Sequence, residues 1–247
     1  MFIDKVLVFD LKGDYAHFKK YYTTTSPLTF SIPPKTVMYG IIGAILGLSK
    51  EKADNNYYLK YFQELSCKIG IKVINSIRKT RISLNLIDTK TAVMMSRIKN
   101  RTQIRTEYVI NPYYRIYFYH DNQELYHNLK DKLQKHHSYY SISLGLSENL
   151  ANYQYQGESK VEIKVDNDEF LQIDSVILLD QINIKKGDID FSKNGREYFT
   201  EKVALEMKEN REVINYGQLL YERNGKTIYA KPSQYYKLEN GENIILM

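Results

Sequence analysis

The segment TFSIPPKTVMYGIIGAILGL, residues 29–48, joins a proline pair to the longest apolar run of the chain. The prolines at 33–34 predict an extended approach to a helix, because proline fixes its own φ and disfavours helical geometry in the residue before it. The residues that follow are apolar on nearly every side, so we expect a helix that is buried on two faces. Gly40, Gly43 and Gly47 share one stripe of it, and each costs about 1 kcal/mol relative to alanine. We therefore expect another backbone to approach this stripe closely.

The N-terminal end of the same helix has a different character. Lys35 and Thr36 follow the proline pair directly. The first amide groups of a helix have no partner within it, and the helix dipole is positive there. This end therefore suits a phosphate group. A P-loop is excluded, because no Gly-Lys-Ser or Gly-Lys-Thr follows a glycine loop.

The overall composition is that of a globular chain with one or two domains. Among 247 residues, 26% are charged and 43% are hydrophobic, and a formal charge of +6 gives a pI near 9.0. One cysteine, Cys67, excludes an intramolecular disulfide and a cluster of thiolate metal ligands. The N-terminal segment alternates like a strand, and the apolar run at 37–48 is too short to span a bilayer. We expect a cytoplasmic protein that is neither exported nor membrane-spanning and that uses no cofactor or metal.

The order of the predicted elements indicates an α+β fold. Strands, helices and a hairpin alternate as strand, helix, strand, hairpin, strand, helix, strand, which is the pattern of a ferredoxin-like or RRM-like sheet with an insertion. The predicted strands are 5–11, 68–88 (one strand or two), 113–120 and 139–155, the hairpin is 91–112 with its tip at 99–101, and the second helix lies within 121–137. A composition shift predicts an RRM-like domain at 1–157 and a β-rich C-terminal domain at 158–247.

Positive charge is concentrated in one part of the chain. Residues 68–105 hold ten Lys or Arg and one acid, a net of +9, so the rest of this +6 chain sums to −3. Residues 158–190 hold nine acids and four lysines. A basic strand-and-hairpin region is typical of a phosphate-binding surface. The alternative, a solvated hairpin whose charges keep the protein soluble, stays equally open from the residues alone.

A family resemblance begins at FDLKGDYAHFKKYYTTTSPLTFSIPPKTVMYGIIGAILGL, residues 9–48. This segment resembles the N-terminal signature of the Cas five family, the CRISPR-associated RAMP proteins at the foot of type I Cascade complexes. Its pattern combines Gly-x-x-Ala-x-Phe (Gly13, Ala16, Phe18), Pro-Pro-basic-Thr and Gly-x-x-Gly-Ala-x-Leu-Gly. NPYYRIYFY at 111–119 and YYSISLGLSENLA at 139–151 follow in the family's order. The resemblance covers about residues 1–155 and is most specific in the first 48.

The resemblance implies a ferredoxin-like domain with an inserted thumb hairpin, here about 88–112, that binds the repeat-derived 5′ handle of the CRISPR RNA. It implies an antiviral surveillance complex in which a Cascade backbone subunit and a large subunit are partners. Target DNA is contacted indirectly, since the guide reads it by base pairing. The short length and the PPKTVMYGIIGAILGL form are most similar to the type I-B (Hmari-like) branch, where a separate endoribonuclease processes the precursor.

The candidate RNA contacts combine cations for phosphates with aromatic rings for unpaired bases. They come from the N-terminal signature, the glycine helix, the thumb and the two later motifs. The residues are Lys12, Tyr15, His17, Lys19, Lys35, Thr36, Tyr39, Arg97, Lys99, Arg101, Arg105, Tyr113 and Gly145.

Two alternatives to a binding subunit remain. Some members of the family cut precursor RNA without metal, using a histidine, a lysine and a tyrosine, and His17, Lys19 and Tyr21 supply those residue types. The favoured interpretation is nevertheless a non-catalytic subunit. The other alternative is a protein-interaction scaffold. The 23 tyrosines fit base stacking, but an Ile-, Asn- and Lys-rich composition also indicates a biased genome.

Overall fold

The chain is β-rich, with two α-helices in the part that can be described. The computed structural model describes residues 3–51, 54–55, 57–62, 66–87, 101–165, 169–182, 186–208, 210 and 212–247. In chain order the strands β1–β16 are Lys5–Gly13, Tyr15–Ala16, Phe18–Lys19, Thr29–Phe30, Cys67–Val73, Arg78–Ile87, Arg101–Ile110, Tyr113–His120, Ala151–Val165, Leu171–Ile173, Ile177–Leu178, Tyr198–Met207, Val213–Glu222, Ile228–Ala230, Gln234–Leu238 and Asn243–Ile244. Helix α1 is Lys35–Leu46, helix α2 is Gln123–Gln134, and short 3-10 turns occupy Tyr58–Lys60 and Leu179–Gln181.

A six-stranded antiparallel sheet organises the molecule, in the order β16-β15-β9-β1-β8-β5. Four strands of this sheet and the two helices follow one another in the chain in the order β1, α1, β5, β8, α2, β9. This order is strand, helix, strand, strand, helix, strand. The hairpin β6–β7 is inserted between β5 and β8 and belongs to a separate three-stranded sheet with β2. The insertion therefore leaves the central sheet intact.

Both faces of the central sheet are covered. Alternate β1 residues Leu7, Phe9 and Leu11 belong to one buried cluster with the apolar faces of α1 and α2. Val6 and Val8 point the other way and pack in a second cluster with residues of β8, β15 and β16. The C-terminal region thus covers the sheet face that the helices leave open, and burial of its apolar side chains contributes about 25 cal/mol for each Å².

Helix α1 confirms the predicted glycine helix, and the neighbours of its glycines agree with the expectation in part. Gly47 ends the helix with φ +84°, and the amide of Leu48 donates to the Gly43 carbonyl at 2.8 Å, which closes the last turn. A Cβ on Gly43 would lie 3.2 Å from the Cβ of Tyr58, whereas Gly40 faces open space. A close backbone neighbour is present beside the glycines, since the amides of Tyr139 and Tyr140 donate to the carbonyls of Ile45 and Ala44 at 3.1 and 3.0 Å, whereas tyrosine side chains contact the glycines themselves. Tyr139 fills the same role at Gly47.

The arms of the hairpin also differ from the prediction. The segment 68–88 forms two strands, β5 and β6, and β6 is the partner of β7, with Ile87 opposite Arg101. The predicted hairpin 91–112 with its tip at 99–101 is therefore misplaced, since Arg101 begins a strand. Residues 88–100 lie outside the described residues.

The predicted strand 139–155 is wrong over most of its length. Residues 139–150 have irregular backbone apart from a bridge between Ser143 and Leu150, and β9 begins at Ala151. Gly145, at φ +97°, lies in this irregular stretch. Strand alternation was present in the sequence, but the positive φ at Gly145 interrupts it.

The predicted domain boundary at 157/158 falls inside strand β9. The first part of β9 pairs with β1, and the last part, Val161 to Val165, pairs with β15. A bulge lies at this point, where the register shifts between Val8 and Phe9 and Gly157 has φ +141°. The division into two domains stays a prediction, with β9 shared by both parts. None of the helices within the described residues combines the length and apolarity needed to cross a bilayer.

Candidate nucleic-acid interface

Strand pairing brings the cations of the inserted hairpin onto one face. Residues directly opposite each other in an antiparallel pair share a face, and the faces alternate along each strand. Arg81 is opposite Glu107, Ser83 is opposite Arg105, and Ile87 is opposite Arg101. We call Lys79, Arg81, Arg101 and Arg105 the cationic face of the hairpin, and all four residues are exposed.

The outer part of the hairpin extends away from the core. None of the residues in 81–87 or 101–105 is buried. The face opposite the cations is apolar and half-buried to exposed, with Ile82, Leu84, Leu86 and Ile104. The arginines of the cationic face can therefore meet a large polyanion without displacing core residues.

The base of the hairpin is fixed to the N-terminal signature. Strand β2 pairs with β7, with Tyr15 opposite Ile110 and Ala16 opposite Val109. The Lys79 ammonium donates to the Thr29 carbonyl at 2.8 Å. The signature segment thus positions the base of the hairpin.

A nearly buried carboxylate neutralises two lysines at this base. The Glu201 side chain is 8% exposed and lies 3.1 Å from Lys20 Nζ and 3.6 Å from Lys79 Nζ. It also accepts hydrogen bonds from the Ser31 amide at 2.7 Å and the Ser31 hydroxyl at 3.1 Å. Burial alone would lower the pKa of the Lys20 ammonium, but the charge of Glu201 raises it above its ordinary value. Strand β12 is thereby joined to the base of the hairpin.

Two predicted site residues, the buried His17 and the exposed Gly145, are in close contact with each other. The His17 ring is 3% exposed, and its Nδ1 lies 2.6 Å from the Glu107 carbonyl oxygen. Gly145 lies so close to His17 that a Cβ there would be 1.9 Å from the His17 carbonyl oxygen. The contact between them explains why a histidine and a glycine occupy these two positions. The burial of His17 argues against direct contact of its ring with RNA.

The predicted phosphate site at the start of α1 is buried as well. Lys35, Thr36 and Tyr39 are 2%, 7% and 1% exposed. The Lys35 ammonium lies 5.8 Å from the Tyr39 ring centroid, and that ring stacks on Phe62 at 5.1 Å. The amide of Val37 already donates to the Pro34 carbonyl. This burial argues against direct RNA contacts at this end of the helix.

The other described site residues lie in three places, which are a cleft, the surface beside the hairpin base and the cationic face. Lys12 and Tyr113 line a cleft of about 380 Å³, with the Lys12 ammonium 5.8 Å from the Tyr113 ring centroid. Tyr15 and Lys19 are exposed beside the hairpin base, as is Tyr21. Arg101 and Arg105 belong to the cationic face, and Arg97 and Lys99 lie outside the described residues.

The cleft at Lys12 adjoins a fully satisfied buried carboxylate. Asp10 is 1% exposed and accepts two hydrogen bonds from Arg115, at 2.8 and 3.1 Å. The Tyr113 hydroxyl at 3.0 Å and the Gln156 amide at 2.8 Å complete its partners. Charge-assisted bonds of this kind hold the three sheet strands β1, β8 and β9 in register. Asp10 is thus a structural group of the sheet.

Sequence reasoning omitted two residues of the interface, Lys79 and Arg81. Both belong to the basic region, but the hairpin predicted at 91–112 begins too late in the chain to include them. The alternation of Lys79 and Arg81 with Thr80 and Ile82 is the signal that could have found them. The role of Glu201 had no local signal, because it depends on a contact across 170 residues with Ser31.

Among residues with a described placement, no group of three His, Cys, Asp or Glu side chains is arranged to hold a metal ion. The interface is therefore described by its cations, aromatic rings and their counter-charges.

The sequence matches a family of proteins that serve CRISPR systems. The family described as CRISPR-associated protein (Cas_Cas5) matches residues 6–168, which is more than half of the chain. The chain belongs to this family, the Cas five family, as the N-terminal signature indicated. No curated protein shows significant sequence similarity to it.

Several solved structures share the fold at low sequence identity. A CRISPR protein from Archaeoglobus fulgidus is 14% identical, with 97% of each chain covered and a TM-score of 0.52. A chain of a CRISPR RNA-guided surveillance complex is 11% identical, with 91% of each chain covered and a TM-score of 0.52. A chain of a type III-B Cmr-beta complex bound to cognate target RNA is 14% identical, with 91% of this chain and 86% of that chain covered and a TM-score of 0.50. These similarities concern the fold.

Proposed function

We propose that the chain binds the 5′ handle of a CRISPR RNA as a subunit of a type I Cascade complex, through the cationic face of its inserted hairpin. The observation that carries the proposal is the placement of Lys79, Arg81, Arg101 and Arg105 on one exposed face. Four cations spaced along two strands can follow the phosphates of a single strand. One acid, Glu107, lies on the same face, 3.6 Å from Lys79 and 3.8 Å from Arg81, so the described part of this face keeps an excess of positive charge.

The architecture supports the same proposal. The strand–helix–strand–strand–helix–strand order and the central arrangement β9-β1-β8-β5 agree with a ferredoxin-like unit, with the hairpin as the thumb. Membership of the Cas five family supports a place in a CRISPR effector complex. Structures with this fold include a chain of an RNA-guided surveillance complex and a chain of a complex bound to target RNA.

The proposed place of the chain is the foot of the complex, where the handle ends. Its partners there are the Cascade backbone subunit and the large subunit, and target DNA is met through the guide. The form of the glycine helix supports the type I-B branch. An assembly around RNA in the cytoplasm fits the net charge of +6.

Binding without cleavage is proposed in preference to endoribonuclease activity. A general base must reach the 2′-hydroxyl whose proton it removes. The imidazole of His17 is buried and its Nδ1 is engaged with the Glu107 carbonyl, whereas Lys19 and Tyr21 are exposed. The three residues that the enzyme alternative needs therefore do not share one accessible surface.

The test measures RNA binding across a salt series in EDTA, with a labelled, unprocessed CRISPR repeat RNA. Arg81, Arg101 and Arg105 are replaced by alanine together. Each lost phosphate contact removes about 0.7 from the slope of log K against log salt for a single strand. We expect a shallower slope, by about 2 if all three contact phosphates, and an intact RNA strand.

A matched control keeps the change in net charge the same. The control residues are the exposed Lys135, Lys160 and Lys237, which lie just after α2, in β9 and in β15, and their triple alanine variant also removes three cations. This control should keep the wild-type slope. An equal loss of slope in both variants would mean that RNA responds to net charge alone, and a cut at one defined position of the repeat would favour the enzyme alternative.

A further inference from the structure

We infer that an exposed cluster of tyrosines beside the cationic face is a stacking site for unpaired RNA bases. The inference rests on the proposed function and assigns a second part of the same RNA surface. The cluster, here called the tyrosine platform, consists of Tyr21, Tyr22 and Tyr216, and the three side chains are 53%, 60% and 37% exposed.

The rings of the platform are assembled from two distant parts of the chain. The Tyr21 ring centroid lies 5.2 Å from that of Tyr22 in an edge arrangement and 5.4 Å from that of Tyr216 at 48°. Tyr21 and Tyr22 follow β3, whereas Tyr216 lies in β13. Genome bias explains why tyrosine is frequent, but it does not explain why three exposed rings converge. Large apolar surface left in water at one place marks an interaction site.

One cation lies against these rings, and two more adjoin them in the chain. The Lys202 ammonium lies 5.0 Å from the centroid of the Tyr216 ring. Lys19 and Lys20 immediately precede the two tyrosines of the loop, and Lys19 is exposed. Rings next to ammonium groups match a strand of bases linked by phosphates, because the rings take the bases and the cations take the charge. Charge complementarity therefore favours a nucleic acid over an apolar protein surface as the occupant.

The platform continues into the cationic face. Lys20, next to Tyr21, and Lys79, in β6, both lie beside the Glu201 carboxylate, at 3.1 and 3.6 Å. That carboxylate is nearly buried, so it does not place an exposed negative charge between the two surfaces. One strand of RNA can then pass from the arginines of the hairpin to the tyrosines across these two lysines, which Glu201 holds in place from below.

The test separates stacking from charge. Tyr21 and Tyr216 are replaced by leucine together in one variant and by phenylalanine in another, and repeat RNA binding is measured across the salt series. Leucine removes the aromatic face and phenylalanine keeps it. We expect the leucine variant to bind about tenfold more weakly, with an unchanged salt slope, and the phenylalanine variant to bind like wild type. The single variant Tyr22→Ala, at the most exposed ring, serves if the leucine variant does not fold.

The matched control is Tyr140→Leu. Tyr140 is 50% exposed and forms an edge pair with Tyr139, at 4.8 Å between ring centroids, and it lines a pocket together with Gly40 and Gly43 of α1. It should bind RNA like wild type. If the leucine variant binds RNA with wild-type affinity, the tyrosine platform is not a stacking site. The proposed function is still supported in that case if the triple arginine variant shows a shallower slope of log K against log salt. Loss of copurification with another complex subunit, without loss of RNA affinity, would make the cluster a protein interface and also overturn the inference.

Discussion

At the scale of single residues, the glycines have unequal roles that the sequence alone does not distinguish. Gly145 has φ +97°, and a Cβ on it would lie 1.9 Å from the His17 carbonyl oxygen. Gly40 lies inside α1 with nothing within 4 Å of the place a Cβ would take. The sequence predicted the glycine helix and the Leu-Gly motif, but the space around each Cα depends on distant segments such as the one carrying His17.

These two glycines give a paired prediction. Gly145→Ala should destabilise the protein by roughly 1–3 kcal/mol or more, because strained backbone and a steric clash act together. Gly40→Ala should stabilise it by up to about 1 kcal/mol, because alanine favours the helix and meets no neighbour. Denaturant unfolding of both variants and of wild type measures the two changes. A stable Gly145→Ala variant would show that the His17 contact is loose.

At the scale of elements, strand alternation predicted the basic hairpin but not the partners of its arms. Basic and apolar residues alternate from residue 68 to residue 88, and one uninterrupted pattern does not say where a strand stops. Strand β5 ends at Val73 and strand β6 begins at Arg78, so the chain leaves the central sheet between these two residues. Pairing of β6 with β7 and of β2 with β7 then sets the register, and such contacts across the chain are absent from local patterns.

The connection between β12 and the hairpin base is testable at Glu201. Glu201→Gln keeps the shape but leaves Lys20 and Lys79 without this counter-charge. We expect a loss of roughly 1–3 kcal/mol, since a nearly buried charged hydrogen-bond partner is removed. Denaturant unfolding is the measurement. The RNA salt slope should not fall, because no cation is lost.

The control for that variant is Glu212→Gln. Glu212 forms an exposed pair with Lys208 at 3.0 Å, in the connection between β12 and β13. Exposed pairs contribute between about 0 and 1 kcal/mol, so this change should be small. Equal effects of the two substitutions would mean that Glu201 is no more than a surface charge.

At the scale of the whole molecule, ion pairs join the C-terminal region to the central sheet. The Lys72 ammonium lies 2.6 Å from Glu242 and 2.9 Å from Asp174, and the Tyr117 hydroxyl donates to Glu242 at 2.9 Å. Burial alone would raise the pKa of the Glu242 carboxyl, but hydrogen bonds from Lys72, Asn240 and Tyr117 lower it below 4.5. The C-terminal region is therefore held to the sheet partly by this carboxylate.

The lowered pKa predicts the direction of a pH dependence. The unfolded chain holds the Glu242 proton more tightly than the folded protein, so the contribution of the carboxylate to stability is complete above pH about 4.5 and is lost as the pH falls. Glu242→Gln should be less stable than wild type near pH 7 and should lose less stability between about pH 5 and pH 3. Denaturation midpoints across this range measure it, with exposed Glu239→Gln as control. Parallel curves for Glu242→Gln and wild type would contradict the assignment.

The family and the charge asymmetry were both accessible from the sequence, because each is a property of local segments. The burial of His17, Lys35 and Tyr39 was not, because polar and aromatic side chains are buried or exposed according to what packs on them. The C-terminal strands that cover the second sheet face are likewise a long-range result.

The central claim is that RNA lies on the cationic face of the hairpin. The measurement that tests it most directly is the difference in salt slope between the triple variant at Arg81, Arg101 and Arg105 and the control at Lys135, Lys160 and Lys237. We predict a slope that is shallower by about 2 in the first and unchanged in the second, with the repeat RNA intact. Wild-type slopes in both variants would contradict the claim and place the RNA elsewhere on the molecule.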